Sequence, residues 1–554
     1  MKNKIIISVT FLMLSTSVIF AQKKEGNIGD EQVVIEKGYK PVIADAVKAS
    51  DAPERDTTSL NAPKLTYSIE PVAAQTDFIL NPIKPVKVKD ENIKELYRGF
   101  IKAGYGTQAT PYGEIFYNAL RSKDFNAGIH LRHYSSKGKI SGYGFPDNSS
   151  NTAELFGRKY FDGSVLSATG NYQRSVFHYY GWDSEMTKLS KDSTKTLLND
   201  LNGNFNYRST YSSEDVLQYE FNLGYYYVKD NFDNTEGDFN VAVDMSKKFG
   251  TGKLHGVASA DFTKLEQSFT TTSKGVIKVN PRYGFNYDPW DVDAGVNLDF
   301  ETFSDSAKAH IYPFVKLNYD LGSSAGAYAM ITGGIIDYSY RSTYYNNPFL
   351  TDIFGIGNEN NKIQFQFGLN FNFDQHFYAN GEFNYKSFKN RMFFLNSSRN
   401  IYVDTIGFPV TAFLPVYYDG NELNLHGELG YQQDKKLDVK VTADYFKYKL
   451  DDNAEPWHTP SIRVGLNTSY NIGDKFQISA DFFVRGKAKY YNYADMKTEE
   501  LKPITDVNIG AEYRYTKLMS FYVKLNNLAF QKYQQWYNYP SYKMCALAGF
   551  SYSF

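Results

Sequence analysis

The sequence has a single cysteine, Cys545, and almost no net charge, with 60 Lys and Arg against 61 Asp and Glu. One thiol cannot form an internal disulfide, so the fold must depend on hydrogen bonds and packing. A nucleic-acid-binding protein should show a basic face or stripe, and this balance of charge gives no sign of one. After residue 20, no run approaches the ~20 continuous apolar residues of a membrane helix. These absences exclude a disulfide scaffold and a helical membrane protein.

Aromatic residues are abundant instead. The chain has 47 Tyr, 42 Phe and 4 Trp, which make up 17% of its 554 residues. Disordered chains lack the apolar surface that so many aromatic side chains bring. The mean hydropathy is nevertheless −0.47, so the chain is polar on average. This combination leaves two classes, a β-rich soluble protein and a membrane β-barrel.

The N-terminal residues predict export. Residues 1–21 join two early lysines to a short apolar run that ends at Ala21. This is the pattern of a secretory signal peptide that is cleaved on the Sec route. Residues 22–96 are rich in proline and clustered charge and have no sustained period, which predicts an extended periplasmic arm.

From Arg98 onward, apolar and polar residues alternate in segment after segment. In Ile363–Phe373 the apolar face carries four phenylalanines, while the other face carries Gln, Asn and Gly. Leu437–Tyr445 shows the same alternation. Period 2 is the signature of β-strands with two unlike faces, so residues 97–554 are predicted to be all-β.

The connectors distinguish a membrane barrel from a soluble sandwich. Alternate connectors are short, as in Phe161–Ser164 and Ile472–Lys475, and those between them are often long. Short turns on one rim and long loops on the other are typical of outer-membrane barrels. We therefore predict a transmembrane antiparallel up-and-down β-barrel of about 22 strands in a Gram-negative outer membrane. The connectors predicted to be long are Ser136–Asn151, Gly181–Thr196, Ser342–Asn361, Asn396–Leu414 and Asp451–Pro460.

Such a barrel has a lipid-facing apolar side and a polar lumen. The polar faces of two late strands supply the candidate lumen-lining residues. They are Asp438, Lys440, Asp444, Asp506, Asn508, Glu512 and Arg514. Tyr and Phe at strand ends fit aromatic girdles at the membrane interfaces. The outer loops hold a surplus of aromatic residues that insertion does not explain, and we expect the function to lie there.

Asp506–Phe554 contains an Asn-Leu pair, a spaced Tyr, an aromatic-Pro loop and a terminal Phe. In these features the last strands resemble those of TonB-dependent outer-membrane receptors. Phe550, Tyr552 and Phe554 also resemble the signal by which barrels are recognised by the outer-membrane assembly machinery. The end of the signal peptide and the aromatic-rich barrel are similar to exported proteins of the Bacteroidota.

Receptors of that family carry a plug domain and a TonB box before the barrel. Residues 22–96 lack the periodicity of a folded domain, so the resemblance implies a receptor barrel without its plug. Gln32–Glu36 is similar to a TonB box, an extended segment that pairs with another chain by strand addition.

No catalytic motif stands out. His130 and His133 form the closest histidine pair, and they are predicted to lie on opposite faces of one strand. The sequence shows no phosphate-binding loop and no nucleophile elbow, so we expect no enzyme activity and no cofactor. One acidic loop offers oxygen ligands suited to a structural Ca²⁺, but its spacing is not that of an EF-hand and a solvated acidic loop is the favoured explanation. Its carboxylates are Asp230, Asp233, Glu236 and Asp238.

Two functions remain open at this point. The first is a non-enzymatic subunit of a larger outer-membrane complex for barrel assembly or surface-protein export. Its partners would be outer-membrane lipid and other outer-membrane proteins or lipoproteins. The second is a channel, TonB-linked or passive, for oligosaccharides, peptides or similar solutes.

Overall fold

The computed structural model describes residues 97–119, 122, 124–304, 306–351, 354–403 and 406–554. The predicted signal peptide, the predicted arm at 22–96 and the candidate strand Gln32–Glu36 lie outside the described residues. Within these ranges, none of the helices is both long and apolar enough to cross a membrane.

The described residues contain 26 strands and one short α-helix. The strands are β1 (Gly99–Gly106), β2 (Thr110–Asn118), β3 (Phe125–Ser136), β4 (Asn148–Phe161), β5 (Ser164–His178), β6 (Lys195–Ser209), β7 (Gln218–Asp230), β8 (Thr235–Phe249), β9 (Gly252–Gln267), β10 (Thr270–Tyr287), β11 (Trp290–Phe303), β12 (Ser306–Asp320), β13 (Ala325–Asp337), β14 (Asn358–Asn372), β15 (Phe377–Val403), β16 (Ile406–Gln433), β17 (Leu437–Leu450), β18 (Ile462–Ile472), β19 (Phe476–Arg485), β20 (Ala488–Asn492), β21 (Lys497–Leu501), β22 (Ile504–Arg514), β23 (Met519–Asn526), β24 (Gln534–Trp536), β25 (Tyr539–Pro540) and β26 (Cys545–Ser553). The helix α1 (Tyr340–Asn346) follows β13, and short 3₁₀ turns occur at Asp192–Thr194 and Asp451–Asn453.

Twenty-two of these strands form one closed antiparallel barrel. Each barrel strand pairs with its predecessor and its successor, and β1 closes the ring by pairing with both β2 and β26. The other four strands form two small hairpins, β20–β21 and β24–β25, inside loops. The predicted fold and strand number are confirmed.

The connections define two rims. The connections after even-numbered strands up to β18, and after β22, are short, and we call this end the short-turn rim. Gly163 (φ 78°) and Gly473 (φ 58°) sit in two of these turns, at backbone angles that residues with a Cβ rarely adopt. The opposite end, called the long-loop rim, carries the extended loops after β5, β13, β17, β19 and β23.

One predicted loop is a strand hairpin instead. Asn396–Leu414 belongs to β15 and β16, which are 27 and 28 residues long and pair up to Val403 and Ile406. A bulge near Asn390 (φ 56°) bends the hairpin as it leaves the barrel wall. Beyond the bulge both Phe393 and Phe394 are buried, so the alternation that marks a lipid-facing strand is lost there.

One neighbouring pair of barrel strands separates in its upper half. β12 pairs with β11 over its whole length, but with β13 only from Val315 to Asp320. Above Ile331, β13 continues to pair with β14, after an irregularity between Thr332 and Gly334. The edge of β12 from Ser306 to Phe314 therefore has no neighbouring strand among the described residues.

Candidate functional site

The outer wall of the barrel carries an apolar band. On β17, the outward residues are apolar from Leu437 to Tyr445, and the next outward residue is Lys447. On β9, the band runs from Leu254 to Phe262. Both spans are nine residues long. A tilted strand needs ~9–11 residues to cross a bilayer, so the band has the height of a membrane.

Exposed aromatic side chains mark the lower edge of this band. They lie at or beside the short turns, one after another around the ring, at Phe125, Phe161, Tyr211, Phe249, Tyr287, Phe373, Phe476, Tyr515 and Phe554. Aromatic rings at this position suit the membrane–water interface. Phe550, Tyr552 and Phe554 are all exposed on the outer face of the last stretch of chain, beside β1.

The predicted lumen residues of β17 lie on the face opposite the apolar band. Lys440 Nζ is 2.8 Å from Glu428 Oε2, and Asp444 Oδ1 is 2.8 Å from His426 Nδ1. Asp438 is exposed on the same face. These polar groups therefore occupy the inner wall, where neighbouring strands pair their charges.

The predicted lumen residues of β22 divide into two groups. Asp506 and Asn508 bind the loop after β23, because Asp506 Oδ2 accepts from the Tyr533 hydroxyl at 3.1 Å and Asn508 Oδ1 accepts from the Asn527 amide at 3.0 Å. Lower down, Arg514 Nη2 donates to Gln477 Oε1 at 3.0 Å. Glu512 lies on the same face, opposite Gln477 and Tyr522. A role of these residues in a transport path stays a prediction.

The long-loop rim is covered by an aromatic cap. We use this name for the apolar core that the loops after β5, β13 and β23 form with the protruding part of the β15–β16 hairpin. Three strand residues below the loops, Leu198, Val228 and Leu265, complete it. Its buried members are Tyr179, Trp182, Leu189, Leu198, Val228, Leu265, Tyr340, Tyr344, Phe349, Leu350, Phe354, Ile356, Phe394, Ile401, Val410, Ala412, Phe413, Trp536 and Tyr539.

The cap spans the mouth from one side to the other. The Thr411 amide of β16 donates to Gly181 O at 3.0 Å, and Arg399 Nη1 of β15 donates to the Tyr179 hydroxyl at 2.8 Å. Both acceptors belong to the loop after β5. The loop after β5 and the β15–β16 hairpin are ten strands apart in the ring of 22 strands. These hydrogen bonds therefore join nearly opposite walls.

Main-chain pairing and ring stacking hold the cap segments together. The Phe413 amide donates to Phe349 O at 2.8 Å, and the Thr351 amide donates to Phe413 O at 2.9 Å. The Phe349 and Tyr539 rings stack with their centroids 3.7 Å apart. Phe413 is fully buried, 5.2 Å from the Trp536 ring centroid. The cap is thus a packed core with specific geometry.

Helix α1 attaches the cap to the inner wall. Fully buried Glu236 of β8 accepts from the amides of Tyr340 (2.7 Å) and Arg341 (3.0 Å) and from the Tyr226 hydroxyl (3.0 Å). Asp200 of β6 accepts from Arg341 Nε at 2.7 Å. The helix belongs to the loop after β13, so the contacts with β6 and β8 cross the lumen.

The Tyr340 side chain adds a third carboxylate. Its hydroxyl donates to Asp230 Oδ2 at 2.6 Å. Burial raises the pKa of Tyr340 well above its ordinary value, so the hydroxyl keeps its proton and stays a donor. Three carboxylates on three adjacent strands therefore hold one short helix.

The calcium candidates are placed in other roles. Asp230 and Glu236 bind α1, and Asp238 Oδ2 accepts from the Thr263 hydroxyl at 2.8 Å. Asp233 is exposed in the turn, 3.5 Å from Lys229. Across the described ranges, no group of three or more His, Cys, Asp or Glu side chains could hold a metal ion. The Ca²⁺ site stays a prediction that this geometry does not support. His130 and His133 lie on opposite faces of β3, as the alternation predicts.

A neutral histidine lies inside the cap. His458, from the loop after β17, is buried between the rings of Phe413 and Trp536. Its Nδ1 lies 2.8 Å from Phe394 O, and its Nε2 accepts from the Tyr537 amide at 3.4 Å. This arrangement requires a proton on Nδ1 and none on Nε2. Burial, with a smaller effect of Arg485, lowers the pKa of His458 to about 4.

We expect the cap to weaken in acid because of His458. Below its ordinary pKa of ~6.5 the unfolded loop takes up a proton that the folded cap excludes until about pH 4. Stability is therefore complete above pH 6.5 and falls by about 3 kcal/mol between pH 6.5 and 4. Tryptophan fluorescence and amide exchange of the cap against pH measure this loss.

His376 provides the matched control for this experiment. It is half-buried in the turn after β14, at the short-turn rim and outside the cap, so His376→Gln should keep the wild-type pH slope of the cap. His458→Gln should weaken the cap at neutral pH and flatten the slope. An equally steep slope in His458→Gln would contradict the assignment.

Sequence reasoning located the aromatic surplus but missed its arrangement. The loop aromatics were expected to mark the functional region, and many of them, such as Tyr179 and Phe349, are buried in the cap. Their long spacing along the chain gives no local signal of contact. The one available signal was composition, since solvated loops seldom hold so many large apolar side chains.

The sequence matches no protein-family model and no curated protein. Several solved structures have a fold similar to that of this chain. The FrpB iron transporter from Neisseria meningitidis has a TM-score of 0.64 at 10% identity, covering 83% of this chain and 82% of that chain. The siderophore receptor PirA from Acinetobacter baumannii has a TM-score of 0.63 at 11% identity, covering 82% and 80%.

The pyoverdine outer membrane receptor FpvA from Pseudomonas aeruginosa PAO1 gives a similar result. Its TM-score is 0.62 at 11% identity, covering 83% of this chain and 78% of that chain. Identities this low establish the fold alone. The chain thus has the 22-strand barrel fold of outer-membrane receptors and transporters, and the expected receptor-type barrel is confirmed at that level.

Proposed function

We propose that the protein is a non-enzymatic subunit of a larger outer-membrane complex, with its long-loop rim facing outward and closed by the cap. The apolar band, the aromatic girdle and the outer-membrane proteins that share the fold support the location. An Asp-rich or aromatic funnel open to solvent would favour solute capture. Here the loop aromatics are packed against one another instead of being presented to a ligand.

The hydrogen bonds across the mouth carry this proposal. The loop after β5 and the β15–β16 hairpin lie on nearly opposite walls. The Thr411 amide donates to Gly181 O, and Arg399 donates to the Tyr179 hydroxyl. A cap with this packing resists the passage of solutes, while its outer surface remains available to partners. Phe550, Tyr552 and Phe554 would serve recognition by the assembly machinery, and neighbouring outer-membrane proteins or lipoproteins would be the lasting partners.

A transport receptor is the second candidate, because the fold is shared with an iron transporter and a siderophore receptor. In this case the cap would have to open. Residues such as Lys440 and Asp444 would then line the path, and Gln32–Glu36 would act as a TonB box. That the barrel lacks a plug domain and that the protein comes from the Bacteroidota are also proposals.

Planar-bilayer conductance combined with mild extraction separates the two functions. We expect the purified full chain to be silent in the bilayer and to co-purify in a fixed ratio with other membrane proteins. A variant that opens the cap, Phe349→Ala with Tyr539→Ala, should conduct and so prove that silent protein was inserted. A large steady conductance from the unmodified chain, without partners in the extract, would refute the complex subunit and favour the channel.

A further inference from the structure

The upper part of β12 presents unpaired backbone groups at membrane depth. The Asp320 amide donates to Pro289 O at 3.0 Å on the β11 side, whereas the Leu321 amide donates to Ala325 O at 3.1 Å on the β13 side. The backbone N–H and C=O groups of successive residues in an antiparallel strand point to opposite neighbours. In β12 these groups point towards β13 at the odd-numbered residues. The amides of Ala307, Ala309 and Ile311 therefore point to an edge where β13 is missing.

Local sequence explains why β13 leaves this edge. Continued pairing would place Gly333 opposite Pro313, which has no amide hydrogen to donate. Gly333 instead crosses the inner face of β12, so close that a Cβ there would lie 2.6 Å from the Tyr312 ring. Asn297 Nδ2 donates to Gly333 O at 2.9 Å and fixes this path. β13 thus runs behind β12 instead of beside it.

The free edge lies in an apolar setting. Ile311 is 71% exposed and points outward, level with Leu298 of β11. Ala309 is opposite Phe300, an exposed residue of the outer wall. Hydrocarbon cannot hydrogen-bond an amide, so an open sheet edge in lipid costs several kcal/mol for each unpaired group. Among the described residues, none bonds to the free-edge groups of Ala307, Ala309 and Ile311.

The edge carries only part of the usual protection against pairing. Natural edges are blunted by charged side chains, proline, bulges or a covering segment, and here exposed Lys308 is the one Lys of the free stretch. The outward residues Ala307, Ala309 and Ile311 are uncharged, and β12 pairs with β11 without a bulge. Pro313 lies at the lower end, where it limits the free stretch without blocking it.

We propose that the free edge of β12 binds an extended, apolar segment of another outer-membrane polypeptide, which adds to the barrel as an antiparallel strand. A lipid cannot supply the required amides and carbonyls. A second copy cannot pair antiparallel through the same strand, because its barrel would be inverted in the membrane. This inference rests on the proposed function and names the surface through which the complex forms.

Amide exchange of the full chain in mild detergent tests the interface. The peptide covering 306–314 should exchange about tenfold or more slowly in the extracted complex, and fast after a harsher detergent strips the partner from the folded barrel. Ile311→Pro removes one free-edge donor and leaves the bonds to β11 intact. It should lower partner recovery about tenfold, whereas Ile311→Val, which keeps the amide, should not.

The outcomes distinguish this interface from the broader function. If partners co-purify while the 306–314 peptide exchanges fast and Ile311→Pro changes nothing, the complex stands and the edge proposal fails. If no partner is recovered in any extract, the proposed function itself fails. If the 306–314 peptide instead exchanges slowly in the isolated chain and fast after deletion of residues 22–90, the edge is occupied by the chain's own N-terminal segment. That result overturns the proposal. Protection that appears only in a dimer of this chain overturns it equally.

Discussion

Replacing Phe413 with alanine should loosen the cap while the barrel stays folded. The ring is 0% exposed and packs against Trp536, His458 and Tyr539. Removing a buried Phe side chain costs about 3–5 kcal/mol, through lost burial and the cavity left behind. Amide exchange of Thr351, which donates to Phe413 O, should accelerate more than a hundredfold, since about 1.4 kcal/mol corresponds to tenfold.

Phe530→Ala is the matched control, because Phe530 is 57% exposed in the loop after β23. This variant should leave the exchange of Thr351 unchanged. The barrel itself should keep its heat-dependent migration on gels in both variants. Equal exchange rates in Phe413→Ala and the unmodified chain would show that the cap is not a cooperative core.

Replacing Glu236 with alanine should release α1 from the inner wall. The change leaves the amides of Tyr340 and Arg341 and the Tyr226 hydroxyl without their acceptor inside the protein. Each hydrogen bond to a charged group contributes about 1.5–3 kcal/mol, so a loss of about 3–5 kcal/mol in local stability is expected after partial relaxation. Proteolysis within 338–357 and exchange of the Thr343 amide measure the release of the helix.

Glu236→Gln retains one acceptor oxygen and the side-chain volume. Its loss of local stability should be less than half of the loss in Glu236→Ala. Glu266→Ala removes an exposed carboxylate of β9 and should have no effect on α1. A loss in Glu266→Ala equal to that in Glu236→Ala would contradict the specific attachment. The same would follow if Glu236→Ala left proteolysis of the loop unchanged.

The barrel could be predicted because its physical cause is local. β14 must place one face in lipid and the other in the lumen, so Ile363–Phe373 alternates and can be read from a single sequence. The same alternation of apolar and polar residues is required of every strand in the ring, because each strand has one face in lipid and one in the lumen.

The cap could not be predicted because its contacts are remote in sequence. Tyr179 contacts Leu350, 171 residues away, and neither residue lies in an alternating segment. The β15–β16 hairpin was predicted to be a loop because its protruding part has protein on both sides instead of lipid on one. Pro313 and Gly333 are visible in the sequence, but their effect depends on two strands coming into register.

The pairing of β1 with β26 also determines how the molecule must fold. Gly99 and Phe554 exchange backbone hydrogen bonds although they are 455 positions apart, so the ring closes only when the two ends of the barrel sequence meet. Contacts this remote are slow to form because chain entropy must be lost first. Until closure, the first and last barrel strands are open edges prone to aggregation. Folding of this ring is therefore expected to be slow and to depend on a catalyst that holds both edges until they meet.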